Sequence, residues 1–281
     1  MKSVTVAAVQ LTSGVDSVHN VEHAIALVNE AADRGASYIQ VPEHFNYLGP
    51  SKGFSDVAEP IPGPTTERMA DVASARRVTL HLGSLLETSP TEGKFYNTSV
   101  VINDTGHIVA TYRKIHLFDV DVPGAIVQRE SDVIAPGREL VMVNVADVRL
   151  GLSVCFDIRF PEMYRELARS GADVLAIPAA FNAVTGQAHW EILIRSRAIE
   201  NHAFVVAAAQ VGTTDQGIAT FGHSLIVDPW GEILAESTSR GPDVITAVLD
   251  LHEVTKRRQQ IAVMDYRRPD LYNEAVHIVE G

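Results

Sequence analysis

The sequence predicts an α/β fold in which layered sheets are covered by helices. Three observations carry that expectation. Segments with strand period and segments with helix period alternate along the chain. Some consecutive strands are separated by a helix, as in βαβ units, while others are joined by turn sequences short enough for hairpins. No low-complexity stretch or Gly- or Ser-rich linker interrupts residues 1–281, which therefore read as a single domain.

Val4–Gln10 is the first expected strand, and Ser17–Arg34 the first helix, with Val18, Val21, Ala24, Ile25 and Val28 at helical spacing before Gly35 ends it. Tyr38–Val41 is a short strand stopped by Pro42. A Pro-Gly-Pro breaker at 62–64 opens a helix over Thr65–Arg77. Strands follow at Val78–Leu86, Thr98–Ile102 and Ile108–Tyr112, the last two joined by the turn sequence Asn103-Asp104-Thr105-Gly106. Phe118–Glu139 reads as a long polar loop. The pattern then repeats: a strand to Cys155, a helix over Pro161–Ser170, a strand at Asp173–Ile177, a helix over Gln187–Asn201 and a strand at Phe204–Ala209. Strands at Ser224–Val227, Ile233–Ala235 and Val244–Leu249 precede a last helix, Leu251–Gln260. The tail over about 261–281 carries aromatic and apolar residues and is expected to pack on a neighbouring subunit.

Composition narrows the function. With 46% hydrophobic and 21% charged residues the chain is an ordinary globular sequence. A net charge of −12 leaves no basic stripe for phosphates and argues against a nucleic-acid partner. No apolar run approaches the ~18 residues that would span a bilayer. The opening MKSVTVAAVQLTSG reads as a strand rather than a signal peptide, so the expected location is cytoplasmic. A single cysteine excludes an intrachain disulfide framework and a Cys-rich zinc site.

That cysteine, Cys155, sits where the apolar run GLSV turns polar in VRLGLSVCFDIRFPEM. A free Cys can simply fill a core. Placed between a strand end and a helix opened by Pro161, it instead reads as a nucleophile whose thiolate is favoured by the positive end of the helix dipole. The Phe156 N–H would then face an oxyanion on an attacked carbonyl. A nucleophile needs a base and an electrostatic partner. Glu43, ending the strand YIQVPE, is a candidate base, its ionised form disfavoured by an apolar setting. Lys114, ending IVATYRK, is a candidate for stabilising negative charge. Each alone would be read as a solvated surface residue, but all three terminate predicted strands, where open α/β sheets gather function.

Together VPEHF, YRKIHLFDVDVPG and GLSVCFDIRFPEM resemble the three signatures of the carbon–nitrogen hydrolase, or nitrilase, superfamily. The resemblance implies a four-layer α-β-β-α sandwich that pairs into a homodimer or larger homo-oligomer. It implies Glu43 as general base, Lys114 as the oxyanion-stabilising cation, Cys155 as nucleophile and Glu130, in QRES, as a second glutamate at the catalytic centre. No metal or organic cofactor is implied. Phe156-Asp157 after the cysteine differs from the Trp-Glu of nitrilases proper. LFDVDVPG, TGQAHWEILIRSRAIEN and GHSLIVDPWG are similar to the omega-amidase and deaminated glutathione amidase branch. The implied reaction is hydrolysis of the terminal amide of a small dicarboxylic acid monoamide through a thioester. N-carbamoyl amino acid hydrolysis and a non-catalytic binding protein on the same fold are the alternatives. Arg159 is expected to clamp the substrate's distal carboxylate, against the alternative of an ion pair with Asp157 or Glu162. Phe181 and Thr185 are expected to line the acyl site.

Three histidine readings stay secondary. His19-Asn20-Val21-Glu22-His23 matches H-x-x-E-H but lacks an evident third ligand, so a solvated helix face is expected. His116 and His189 could serve Cys155 as bases in a papain-like scheme, but structural roles are expected for both.

Overall fold

The computed structural model describes residues 3–122, 126–145 and 147–272. Two six-stranded sheets form its centre. The first contains β1 (Ser3–Gln10), β2 (Tyr38–Val41), β3 (Thr79–Thr88), β4 (Phe95–Ile102), β5 (Ile108–Arg113) and β16 (Asp243–Asp250), in the order β16-β1-β2-β3-β4-β5. The second contains β8 (Met142–Val145), β9 (Val148–Leu152), β10 (Val174–Ala176), β11 (Phe204–Ala207), β14 (Leu225–Val227) and β15 (Ile233–Glu236), in the order β15-β14-β11-β10-β9-β8. Each has a parallel middle, β1-β2-β3 or β9-β10-β11, flanked by antiparallel strands. Two hairpins lie outside the sheets: β6 (Asp119–Val122) with β7 (Ile126–Arg129), and β12 (Val211–Thr213) with β13 (Ala219–Phe221).

Strand alternation explains the layers. On β1, Val4, Val6 and Ala8 enter the core shared with Leu150, Leu152 and Val174 of the second sheet. Ala7 and Val9 point the other way, onto Val21, Ala24 and Val28 of α1 (Ser17–Asp33). Met69 and Ala73 of a further helix, Pro64–Arg76, join that outer core. The second sheet is covered by helices Pro161–Arg169 and Ala183–Asn201, which contribute Tyr164, Leu167, Trp190, Ile194 and Ala198. Each aliphatic side chain so buried contributes roughly 1.5–3 kcal/mol. The result is the expected α-β-β-α sandwich.

Helix ends follow local chemistry. Asp16 caps α1 by accepting from His19 N–H at 3.0 Å. Asn182 caps the Ala183–Asn201 helix by accepting from Val184 N–H at 2.9 Å, so this helix starts four residues before the expected Gln187. The expected loop over Phe118–Glu139 holds the β6-β7 hairpin and a short 3-10 turn, Glu130–Asp132. The part of the tail up to Tyr272 lies on its own chain: Arg165 contacts Met264 Sδ at 3.5 Å and Arg267 pairs with Glu166 at 3.7 Å. Residues 273–281, on which the expected partner contact also falls, lie outside the described residues.

Because β5 runs in the same sense as β2, Glu43 and Lys114 leave the first sheet at the same edge. Cys155 leaves the facing edge of the second.

Candidate active site

The chain turns sharply after β9. Ser153 and Val154 lead into a five-residue 3-10 turn, Cys155–Arg159, and Cys155 itself has φ 49°. That left-handed backbone is uncommon for a residue with a Cβ and signals a conformation held by its surroundings. Holding it are Cys155 N–H to Pro178 O (2.9 Å) and Val154 N–H to the Asp157 carboxylate (2.8 Å). The first bond inside the turn runs from Asp157 N–H to Val154 O (3.1 Å), so the preceding Phe156 N–H has no acceptor within the turn.

Glu43 follows Pro42 at the end of β2 and is 2% exposed. Its Oε1 accepts from Lys114 Nζ (3.0 Å) and Asn97 Nδ2 (2.9 Å), and its Oε2 from Ala180 N–H (2.8 Å). The Cys155 thiol lies near enough to this carboxylate to favour its anion. Lys114, equally buried, donates to Glu130 Oε2 (2.9 Å) and Oε1 (3.2 Å). Glu130 is buried as well and receives Phe118 N–H (2.6 Å). The four expected residues therefore converge.

The electrostatics differ from the expectation in two respects. Burial pushes the Glu43 carboxyl up, but the Lys114 ammonium, the Cys155 thiol and the hydrogen bond from Ala180 hold it well below the usual carboxylate range. Its anion is thus favoured, not disfavoured. Burial and the adjacent Glu43 charge push the Cys155 thiol well above its ordinary value, against the pull of Lys114. The next α-helix begins at Pro161, after the 3-10 turn. Burial lowers Lys114, but Glu130 and Glu43 outweigh it and keep the ammonium protonated. At rest Cys155 is a thiol, Glu43 a carboxylate and Lys114 an ammonium.

A cavity of about 430 Å³ opens onto Glu43, Lys114, Glu130 and Cys155. Phe181 and Thr185 line it, and so does Phe156. Arg159 does not line it. Its guanidinium lies 5.2 Å from the Phe181 ring centre and 5.7 Å from that of Phe156, with Nη1 3.4 Å from His189 Nδ1. Neither Asp157 nor Glu162 is its ion-pair partner among the described residues. His116 stacks on Phe160 and bonds Asp157 at 2.7 Å, a structural role. Glu22 of the H-x-x-E-H stretch turns to Arg68 (3.4 Å).

Glu43, His44 and Glu130 offer ligand atoms within 4.8 Å of one another, a grouping that could hold a cation. Lys114 Nζ already supplies a positive charge between the two carboxylates. Burial lowers the His44 imidazole below its ordinary value, which favours its neutral form.

Sequence reasoning missed Asn97, His44 and Asp157. Asn97 had a readable signal: it interrupts the strand FYNTSVVI, and a fully buried amide there requires polar partners. Asp157 accepts from Tyr112 Oη (2.7 Å), His116 N–H (3.1 Å) and Val154 N–H, tying the cysteine turn to both sides of Lys114.

A two-sheet sandwich with glutamate, lysine and cysteine at facing strand ends defines a class, and the chain belongs to the carbon–nitrogen hydrolase family, whose profile matches residues 5–259. It is an enzyme of the amide-hydrolysing kind. Among its relatives, a deaminated glutathione amidase of Bos taurus is 40% identical over 97% of this chain and 84% of its own. The omega-amidase NIT2 of Homo sapiens is 39% identical over 97% and 98%. The solved C. elegans NitFhit protein superposes with a TM-score of 0.89 at 35% identity, covering 96% of this chain, which spans 66% of that longer one. Saccharomyces cerevisiae Nit3 gives 0.85 at 31% identity over 95% and 97%. Among the described residues no helix is long and apolar enough to cross a membrane.

Proposed function

We propose that this chain hydrolyses the terminal amide of small dicarboxylic acid monoamides, as an omega-amidase or deaminated glutathione amidase. The observation that carries the reading is the Lys114 ammonium held between the Glu43 and Glu130 carboxylates beside a neutral Cys155 thiol. As the sulfur attacks the amide carbon, Glu43 takes the thiol proton. Negative charge moves onto the carbonyl oxygen, where Lys114 Nζ and the Phe156 N–H receive it. With the thiol raised and the carboxylate lowered, proton transfer accompanies S–C bond formation rather than preceding it. Glu43 then gives the proton to the leaving nitrogen, the C–N bond breaks, and ammonia or an amine departs from a thioester. A water deprotonated by Glu43 attacks the thioester, the C–S bond breaks, and the sulfur recovers its proton. None of these steps calls for a metal or an organic cofactor.

Arg159, in electrostatic reach of Cys155, and Arg129, on the cavity rim, are the cations proposed to hold the distal carboxylate. Exposed Ile192 and Ile199 on the Ala183–Asn201 helix support a homodimer or larger homo-oligomer. Dependence on one free thiol suits a reducing, cytoplasmic setting.

The test is ammonia release from a panel containing α-ketoglutaramate, deaminated glutathione and neutral amides, with wild type, Cys155→Ser, Glu43→Gln and Arg159→Ala. Both monoamides should be turned over, Cys155→Ser and Glu43→Gln should abolish release, and Arg159→Ala should lose preference for charged substrates. Carbon dioxide released together with ammonia from N-carbamoyl amino acids, with the monoamides untouched, would refute the reading.

A further inference from the structure

We propose that Asn97 is a positioning residue for the reaction, its side-chain nitrogen holding the Glu43 and Glu130 carboxylates in place while Lys114 turns to the substrate. The inference rests on the amidase reading above. Lys114 Nζ has three N–H donors, and at rest all are engaged: one on Glu43 Oε1 (3.0 Å) and the others on Glu130 Oε1 (3.2 Å) and Oε2 (2.9 Å). To receive an oxyanion, the ammonium must withdraw at least one of them. A buried carboxylate oxygen stripped of its donor is costly.

Asn97 offsets that cost. Its Nδ2 donates to Glu43 Oε1 at 2.9 Å and to Glu130 Oε1 at 3.2 Å, the two oxygens that Lys114 would release. Glu130 Oε2 is independently held by Phe118 N–H. The same residue fixes the lysine's backbone, its carbonyl accepting Lys114 N–H at 2.9 Å. The amide's orientation is dictated by charge, since the reverse would aim Oδ1 at two carboxylates. Oδ1 is instead left buried without a hydrogen-bond partner among the described residues. An apolar residue would avoid that orphaned acceptor, so the nitrogen is what the site requires. Asn97 is fully buried in β4 and does not line the cavity, so it acts through other side chains and not on substrate.

Two variants test this. Asn97→Leu keeps the number and branching of heavy atoms, is bulkier, and has no donor. Asn97→Asp is isosteric and donates only when protonated. In Asn97→Leu, kcat should fall about 10- to 100-fold, as expected for losing a hydrogen bond to a charged group. KM should stay within about twofold, because the cavity wall is untouched. The acid limb of kcat should move to higher pH, since Glu43 loses a donor that favours its anion. In Asn97→Asp the trend should reverse, activity rising as pH falls and the new carboxyl gains its proton. The same pH dependence should appear in alkylation of Cys155 by iodoacetamide, where the S–C bond forms, iodide leaves and Glu43 takes the thiol proton. That readout needs no amide turnover, so it tests Asn97 even if the substrate assignment fails. Wild-type kcat and wild-type limbs in both variants would overturn the proposal. So would a lowered melting temperature or loss of fold in both with no change in the pH dependence of any folded fraction, which would make the residue structural only.

Discussion

Gly83 offers a sharp test of how the site is built. It lies in β3 beside the end of β2, and a Cβ added there would stand 2.2 Å from Val41 O and 2.4 Å from both the carbonyl carbon and oxygen of Pro42. All three atoms are backbone, so no rotamer change relieves the clash. Restoring ordinary contact requires about 1 Å of displacement. The segment that must move is the two residues immediately before Glu43. Overpacking of this kind costs about 1–3 kcal/mol. A displacement of about 1 Å at a reacting group costs about 100-fold in rate. Gly83→Ala should therefore lose a few degrees of melting temperature and about 100-fold in kcat/KM, with unchanged far-UV circular dichroism. Gly241→Ala, where an added Cβ meets nothing within 4 Å, is the control and should match wild type. The assay is ammonia release with thermal denaturation on the same preparations. A Gly83→Ala enzyme within twofold of wild type in kcat/KM would show that the Glu43 position is not set by this strand contact.

Two further outcomes follow from buried polar groups. Asp157→Asn turns an amide towards donors that now meet a carboxylate, from Tyr112, His116 and Val154; it should cost about 3 kcal/mol in urea denaturation, and an unchanged midpoint would contradict that tie between the sheets. His81, fully buried between Tyr38 Oη and Ser99 Oγ, is pushed by burial down to about 3, so the folded chain leaves it neutral while the unfolded chain protonates it below its ordinary 6.5. Its contribution is whole above pH 6.5 and is lost as pH falls towards 3, at up to about 1.4 kcal/mol per pH unit. His81→Gln should flatten the fall of melting temperature over that window; an identical slope would assign the acid sensitivity elsewhere.

Much of this molecule could be read before its coordinates. Tyr38–Val41 matches the expectation residue for residue, and β1 and the helix at Pro161 match within one, because periodicity and breakers agree there. The β6-β7 and β12-β13 hairpins escaped, since strands of three or four residues are too short to show a period. Glu43, Lys114 and Cys155 were legible as strand ends. The sign of the Glu43 shift was not, because it is set by a lysine 71 residues away. Arg159 shows the same limit. Its place four residues after the cysteine suggested a clamp, but not that its guanidinium would lie beside Phe181 and Phe156, two residues of the cavity wall.

The Cys155 sulfur is carried by one sheet, while the Glu43 carboxylate and the Lys114 ammonium are carried by the other. Neither half of the sandwich holds a working set of groups by itself. A modest slide of one half past the other, under pressure or mild denaturant, would part these partners while every helix and strand stayed intact. Turnover would then vanish ahead of unfolding, and the chemistry would serve as a gauge of how well the two halves are aligned.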